Sequence, residues 1–355
     1  MMQQAVSPWM IYGANGYTGE LIAREAVARG LAPILAGRSR DKVERLAREL
    51  GLPHRVFDLN SPAQVAAQLD GVRAVLLTAG PFSATSQPMV QGCIQAGAHY
   101  LDITGEIDVF EQVALNHAAA RRAGVVLCPG VGFDVIPTDC VAAALQRALP
   151  DAVELRLGFD TTVSLSPGTI KTTLESVPQG GRVRRAGQLQ RVPLAHELRR
   201  IDFGRGERLA VAVPWGDVST AYHSTGIPDV TVFVPTTRLG AWGMKLGNVF
   251  GPLFKLQAVQ RALGGLVDLF VKGPDEAARA DMPAYVWGEA VNAQGQRRTA
   301  RVKTVNGYSL TVPGALAVLH HVLTHDVPGG FSTPSRLMGP ELVSQLPGGG
   351  PITIV

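Results

Sequence analysis

The chain has 355 residues, 46% hydrophobic and 17% charged, a balance that suits two domains with large cores and argues against disorder. Its formal net charge of +4 is spread thinly, so a nucleic-acid-binding tail is not expected, while small anionic molecules remain suitable partners. Cys93, Cys128 and Cys140 are too few and too irregularly spaced for a disulfide framework and suggest a reduced, cytoplasmic setting.

Met1 to Ser7 lacks a basic segment leading into an apolar run, so no secretory signal is expected. From residue 8 to about 148, short apolar runs alternate with helical patterns. The expected strands are Pro8–Tyr12, Pro33–Ala36, His54–Phe57, Arg73–Leu77, Tyr100–Ile103 and Val125–Cys128. Between them, Glu20–Arg29, Arg40–Leu50, Pro62–Leu69, Gln87–Ala96 and Val109–Arg122 carry apolar residues at three- and four-residue spacing. This alternation predicts an α/β fold, a doubly wound parallel sheet of Rossmann type with helices on both faces.

After Pro150 the pattern changes to alternating runs: Val153–Leu157, Arg208–Val213, Val230–Val234, and Tyr285–Val291 paired with Thr299–Val305 around Asn292–Gln296. These predict a second α+β domain on a largely antiparallel sheet. Helices are expected at Gly168–Val177, within Gly240–Val271 and at Pro313–Thr324. The stretch Leu239–Val271 is interrupted by Lys245, Lys255, Arg261 and Asp268, so no membrane-spanning helix is expected. Its Trp242, Phe250, Phe254 and Phe270 fit a peripheral membrane contact, a substrate lid, or a buried or homodimer-interface helix.

The strongest motif is Gly13-Ala14-Asn15-Gly16-Tyr17-Thr18-Gly19, between the first strand and the first helix. There Gly13 permits a tight turn, Gly16 lets backbone approach a pyrophosphate, and Gly19 lets the helix pack closely on the sheet. The helix N-terminus adds amide donors and a positive dipole end. A dinucleotide site follows. The glycine spacing also occurs in short-chain dehydrogenases, but none of the six tyrosines has a lysine four residues later, which disfavours the Tyr-Lys proton relay used by many of them.

An NAD site usually places a carboxylate after the second strand to bind the ribose 2′-hydroxyl. Here the strand runs into Gly37-Arg38-Ser39-Arg40. Arg38 suits a 2′-phosphate and the adenine face, with Ser39 and Arg40 as further donors, so NADP(H) is the expected cofactor. Asp58, ending the third strand, is expected at the adenine amino group, and Thr78-Ala79-Gly80-Pro81-Phe82 beside the nicotinamide ribose. Gly105 and Glu106 follow the fifth strand and Asp134 the sixth; each carboxylate suits either a ligand or a helix cap. Candidate proton donors in the second domain are Lys171, Thr169, Tyr222 and His223, with His223 expected on a strand. His321 and His325 lack a carboxylate or cysteine cluster nearby, and no metal site is expected.

These motifs resemble the saccharopine-dehydrogenase-like oxidoreductases, especially the branch containing the trans-acting enoyl reductases. The matching residues are the Gly13–Gly19 loop, Ala36-Gly37-Arg38, Ala79-Gly80-Pro81-Phe82, Tyr100–Glu106, and Gly132-Phe133-Asp134 with Pro137 and Asp139. Further landmarks are Ser166-Pro167-Gly168-Thr169, Pro214-Trp215-Gly216-Asp217 and Gly288-Glu289. The resemblance implies an NADP-binding domain over 1–150, a substrate or oligomerisation domain over 151–305, and a C-terminal helix and tail over 306–355 returning to the first domain. It also implies reduction of a C=C or C=N bond. The expected activity is NADPH-dependent reduction of an enoyl group on a hydrophobic, lipid- or polyketide-like substrate. The alternatives are an imine or amino-acid dehydrogenase and an NADP-binding scaffold without turnover. Ser83-Ala84-Thr85-Ser86 stands where the family often has Tyr and Gly, a departure that bears on the substrate.

Overall fold

The computed structural model describes residues 7–161, 180–250 and 283–355. The chain forms two units: residues 1–136 with 310–338, and residues 137–309 with 339–355.

In the first unit, β1 (Trp9–Tyr12) leads into α1 (Tyr17–Ala28), β2 (Ile34–Gly37), α2 (Arg40–Leu50), β3 (His54–Val56) and α3 (Pro62–Gln68). Then come β4 (Ala74–Leu77), α4 (Phe82–Ala96), β5 (His99–Asp102), α5 (Ile107–Ala114), α6 (His117–Arg122) and β6 (Val126–Cys128). The sheet order is β15-β6-β5-β4-β1-β2-β3, with β15 (Gly330–Phe331) contributed from near the C-terminus. Every pairing is parallel. Strands β1, β4 and β5 are buried along their whole length, as expected when helices cover both faces. The order reverses at β1, which pairs with β2 on one side and β4 on the other. Open α/β sheets bind ligands at the carboxyl ends of strands flanking such a reversal.

The single helix expected over Val109–Arg122 is two. The break falls at Leu115-Asn116, where Asn116 Nδ2 donates to the Gln112 carbonyl and its Oδ1 accepts from Gln91 Nε2. A short polar side chain competing for backbone bonds ends a helix that periodicity alone would continue.

The second unit begins with α7 (Ile136–Ala148) and is built on a nine-stranded sheet. Its main path is β10-β11-β12-β7-β13-β14-β16, with β8 on β12 and β9 on β8. The strands are β7 (Ala152–Thr161), β8 (Gly181–Arg185), β9 (Gln188–Val192), β10 (Leu198–Asp202), β11 (Glu207–Val213), β12 (Asp229–Pro235), β13 (Ala284–Asn292), β14 (Arg297–Thr304) and β16 (Thr353–Ile354). The sheet is antiparallel except at β12–β7, which is parallel. Between β11 and β12 lies α8 (Asp217–Thr225), and after β12 lies α9 (Arg238–Phe250). A Cβ at Gly288 would stand 2.6 Å from Val141 and 2.8 Å from Leu145, so this glycine lets α7 lie against β13. Asp217 on α8 accepts from Thr138 Oγ1 on α7 at 2.5 Å, and Asp139 accepts from Ser224, so these two aspartates serve as interhelical clamps. Helices α10 (Gly307–Thr324), α11 (Pro334–Met338) and α12 (Leu342–Gln345) complete the described chain. The helix expected at Gly168–Val177 lies outside the described residues.

Candidate active site

The glycine loop turns directly off β1. Gly13 N and Ala14 N donate to the Ala36 carbonyl at 2.8 and 3.1 Å, tying the turn to β2. Gly13 has φ +89°, and a Cβ there would stand 2.7 Å from the Ala79 nitrogen. Only glycine satisfies both the conformation and the approach. A Cβ at Gly19 would lie 2.3 Å from the Gly13 carbonyl oxygen, so α1 starts hard against the turn. Gly16 is the N-cap of α1 and has no side chain with which to cap this end. Its first-turn amides point where a parallel sheet of this order holds phosphates.

Arg38 and Ser39 follow β2. Arg38 is exposed and enters no ion pair among the described residues, whereas Arg40 Nη1 donates to Glu44 at 2.9 Å along α2. Asn15 belongs beside them: a Cβ on Gly37 would stand 2.9 Å from Asn15 Oδ1. Asp58 closes a short turn by accepting from Asn60 N at 3.2 Å. The Tyr12 hydroxyl donates to the Phe57 carbonyl at 2.9 Å. Burial pushes the Tyr12 phenol up to about 12; nearby Asp58 adds to the rise and Arg38 opposes it. Arg38 and Asp58 therefore flank one phenol at the carboxyl edge of β1, β2 and β3.

On the other side of the reversal, Thr78 Oγ1 donates to the Tyr12 carbonyl at 3.1 Å, and Thr85 Oγ1 donates to the Ala79 carbonyl at 2.6 Å. These bonds fix the loop Ala79-Gly80-Pro81, which leads into Phe82 and α4. Glu106 reaches across to this helix: its Oε1 accepts from Phe82 N and its Oε2 from Ser83 N, both at 2.9 Å. The carboxylate sits on the α4 N-terminus, where the helix dipole favours a negative charge.

Sequence reasoning gave Asp102 no role of its own. It is fully buried and accepts from Tyr100 Oη at 2.5 Å, Thr104 N at 2.9 Å and Gly130 N at 2.9 Å. It thereby ties the loop after β5 to the loop after β6. Burial pushes its carboxyl up to about 6, with the three hydrogen bonds pulling the other way. Asp134 is likewise pushed up to about 6 by burial, its Oδ2 lying 3.2 Å from where a Gly105 Cβ would be. The Tyr-x-Asp spacing on one face of β5 was the available signal, since residues two apart share a face.

The first unit thus brings together the glycine loop, Arg38, Asp58, Thr78–Phe82, Gly105 and Glu106 along one sheet edge. Tyr222 and His223 lie in the second unit. His223 is on helix α8, not on a strand, because Asp217 and Ser224 of that segment are held on α7 by hydrogen bonds. The Tyr222 ring lies under the Arg184 guanidinium at 4.4 Å. Lys171 and Thr169 fall outside the described residues.

Residues 13–125 match a family model described as NAD(P)H-binding. The chain binds NAD(P)(H), and the glycine loop is a cradle that a Cβ would fill. A trans-acting enoyl reductase of Mycobacterium leprae is 32% identical over 146 residues, covering 39% of this chain and 35% of that protein. A human saccharopine dehydrogenase-like oxidoreductase is 31% identical over 150 residues, covering 37% of this chain and 35% of that protein. Over this part of its length the chain is similar to the saccharopine dehydrogenase-like oxidoreductases. The matches span about a third of the length of these two relatives. A solved yeast saccharopine dehydrogenase (L-Glu forming), in its apo form, shares the fold with a TM-score of 0.66 and 12% identity, over 98% of this chain and 100% of that one.

Proposed function

We propose that this chain is an NADPH-dependent reductase of an unsaturated, hydrophobic substrate, acting on a C=C bond conjugated to a carbonyl. The observation that carries the cofactor choice is Arg38: an exposed guanidinium at the end of β2, free of ion pairs among the described residues, with no carboxylate beside it in Gly37-Arg38-Ser39-Arg40. A guanidinium there pairs with a 2′-phosphate, and Ser39 adds a donor. When bound, NADPH supplies the hydride. The chain's own groups hold it. The α1 amides and Asn15 to Gly19 receive the pyrophosphate, Asp58 faces the adenine, and Thr78 to Phe82 border the nicotinamide ribose. Gly105 lets Asp134 lie close to the loop after β5, and Glu106 acts on the Thr78–Phe82 loop through α4.

The enoyl substrate class rests on the similarity to trans-acting enoyl reductases. For the proton donor, Lys171, Tyr222 and His223 are the candidates to replace singly. A second reading, reduction of a C=N bond, draws on the concentration of Arg156, Arg199 and Arg297 around Glu289, at 2.9, 2.9 and 3.7 Å. Such a group suits a charged amino-acid substrate. We place the protein in a reducing compartment, where its three buried cysteines stay free thiols.

The test is oxidation of NADPH and of NADH with a panel of medium-chain enoyl thioesters and, separately, cyclic imines. The proposal expects turnover of the enoyl compounds with NADPH. Imine turnover alone would select the second reading, and cofactor binding without any turnover would select the scaffold.

A further inference from the structure

Helix α9 (Arg238–Phe250) has two apolar faces, and the second unit uses one of them. Ala241, 3% exposed, faces the protein; a Cβ at Gly247 would stand 3.3 Å from Leu194 Cδ1. Asn248 locks the same face, its Oδ1 accepting from Leu194 N at 2.7 Å and its Nδ2 donating to Leu194 O at 3.1 Å. At the start, Thr237 Oγ1 accepts from Gly240 N at 3.0 Å. The helix is therefore fixed along Ala241, Gly247 and Asn248.

On the opposite side stand Leu239, Trp242 and Leu246, 76%, 59% and 36% exposed. Their spacing of three and four puts them in one stripe. Scattered single apolar residues need no explanation, but an aligned Leu-Trp-Leu stripe on a firmly anchored helix does. Arg238 and Lys245, both exposed, lie along its flank. The sequence has no Asp or Glu between Asp229 and Asp268, while it has Arg238, Lys245, Lys255 and Arg261. An apolar stripe with an indole in it, bordered only by long cationic side chains, matches a headgroup region. The indole sits at the interface, and the Arg and Lys stems lie along the apolar layer with their charges among anionic headgroups. A second protein copy would instead have to bury Arg238 and Lys245 without any acid of this helix to pair them.

We infer that α9 docks the protein peripherally on a membrane surface containing anionic phospholipid. No helix among the described residues is long and apolar enough to cross a membrane, so the contact lies in the interface plane. The inference stands on this helix alone and is independent of the reductase reading.

The test is flotation of the full chain with vesicles of phosphatidylcholine alone or mixed with phosphatidylserine, together with tryptophan emission. Trp9 and Trp287 are buried and Trp215 is half-buried, so the part of a blue shift on adding mixed vesicles that a Trp242→Phe variant loses reports Trp242. The expected result is recruitment to the mixed vesicles only, weakened by high salt, with a blue shift. Trp242→Ser with Leu239→Ser should cut partitioning at least about tenfold, and Arg238→Glu with Lys245→Glu should cut it by a similar factor, with unchanged thermal melting. Absence of recruitment by either vesicle overturns the inference. So does equal binding by the Trp242→Ser, Leu239→Ser variant, or a dimer that this variant converts to monomer.

Discussion

Two helix N-termini face each other across the strand-order reversal, and they are finished in opposite ways. Helix α1 begins at Gly16, a residue with no side chain, while α4 begins at Pro81 with both oxygens of Glu106 on its first amides. The backbone dipole is the same at both ends. At α4 the protein supplies its own anion from the β5 loop; at α1 the N-cap is a glycine, with no side chain of its own to offer. The difference fits the proposed use of the α1 end for a bound phosphate, and the following substitutions break or sharpen it.

The largest effect is expected at Gly13. Valine there meets the Ala79 nitrogen and a φ of +89° together, costing about 1–3 kcal/mol for overpacking and about as much again for the backbone. NADPH affinity in a fluorescence titration should fall about a hundredfold or more. Retention of full affinity would mean that the cofactor does not use this loop.

Next comes Arg38→Ala, which leaves the α1 end intact and removes only the proposed 2′-phosphate partner. Hydrogen bonds to charged groups contribute about 1.5–3 kcal/mol, so NADPH should weaken about ten- to a hundredfold while NADH changes little. Equal loss for both cofactors would contradict a 2′-phosphate role. Glu106→Ala inverts the comparison by uncapping α4. A lost cap costs about 1 kcal/mol, read as a lower urea midpoint, while NADPH affinity should change less than in Arg38→Ala. A larger loss of affinity than of stability would place Glu106 on the cofactor itself.

The glycine end was legible in the sequence and the end capped by Glu106 was not. Glycines constrain backbone, and the Gly13–Gly19 spacing between a strand and a helix pattern states its geometry locally. Glu106 was visible as a residue, but its partners Phe82 and Ser83 lie on a different element. The same contrast holds for the fold. The parallel sheet and the β13–β14 hairpin followed from apolar runs. The parallel β12–β7 pairing, the strands β8 and β9, and the helical state of His223 did not. In β8 and β9 the sequences Gly-Arg-Val-Arg-Arg and Gln-Leu-Gln-Arg-Val look solvated, yet Arg184 is buried, donating to the carbonyls of Val218 and Gly187. For Tyr222-His223-Ser224-Thr225, tertiary bonds from α7 override a local composition that favours strands.

The smallest effect concerns Asp102, whose buried carboxyl ties two loops beside the capped helix. Its value rises from the ordinary 3.8 to about 6 in the folded chain. A raised carboxyl binds its proton more readily when folded, so its contribution is favourable at low pH and is lost as pH rises from about 4 through about 6. Asp134 moves in the same direction over the same window, so the wild-type slope alone does not isolate either group. Asp102→Asn does. Thr104 N and Gly130 N both donate to Oδ1, while Tyr100 Oη meets Oδ2. An asparagine keeps the shared acceptor and turns its amide toward the Tyr100 oxygen, while the Tyr100 hydroxyl proton loses its acceptor, a cost that does not change with pH. The variant should fold, and its urea midpoint should gain on wild type between pH 4 and pH 7. A constant difference across that range would mean that Asp102 does not titrate there, and that the loop tie carries a charged carboxylate throughout.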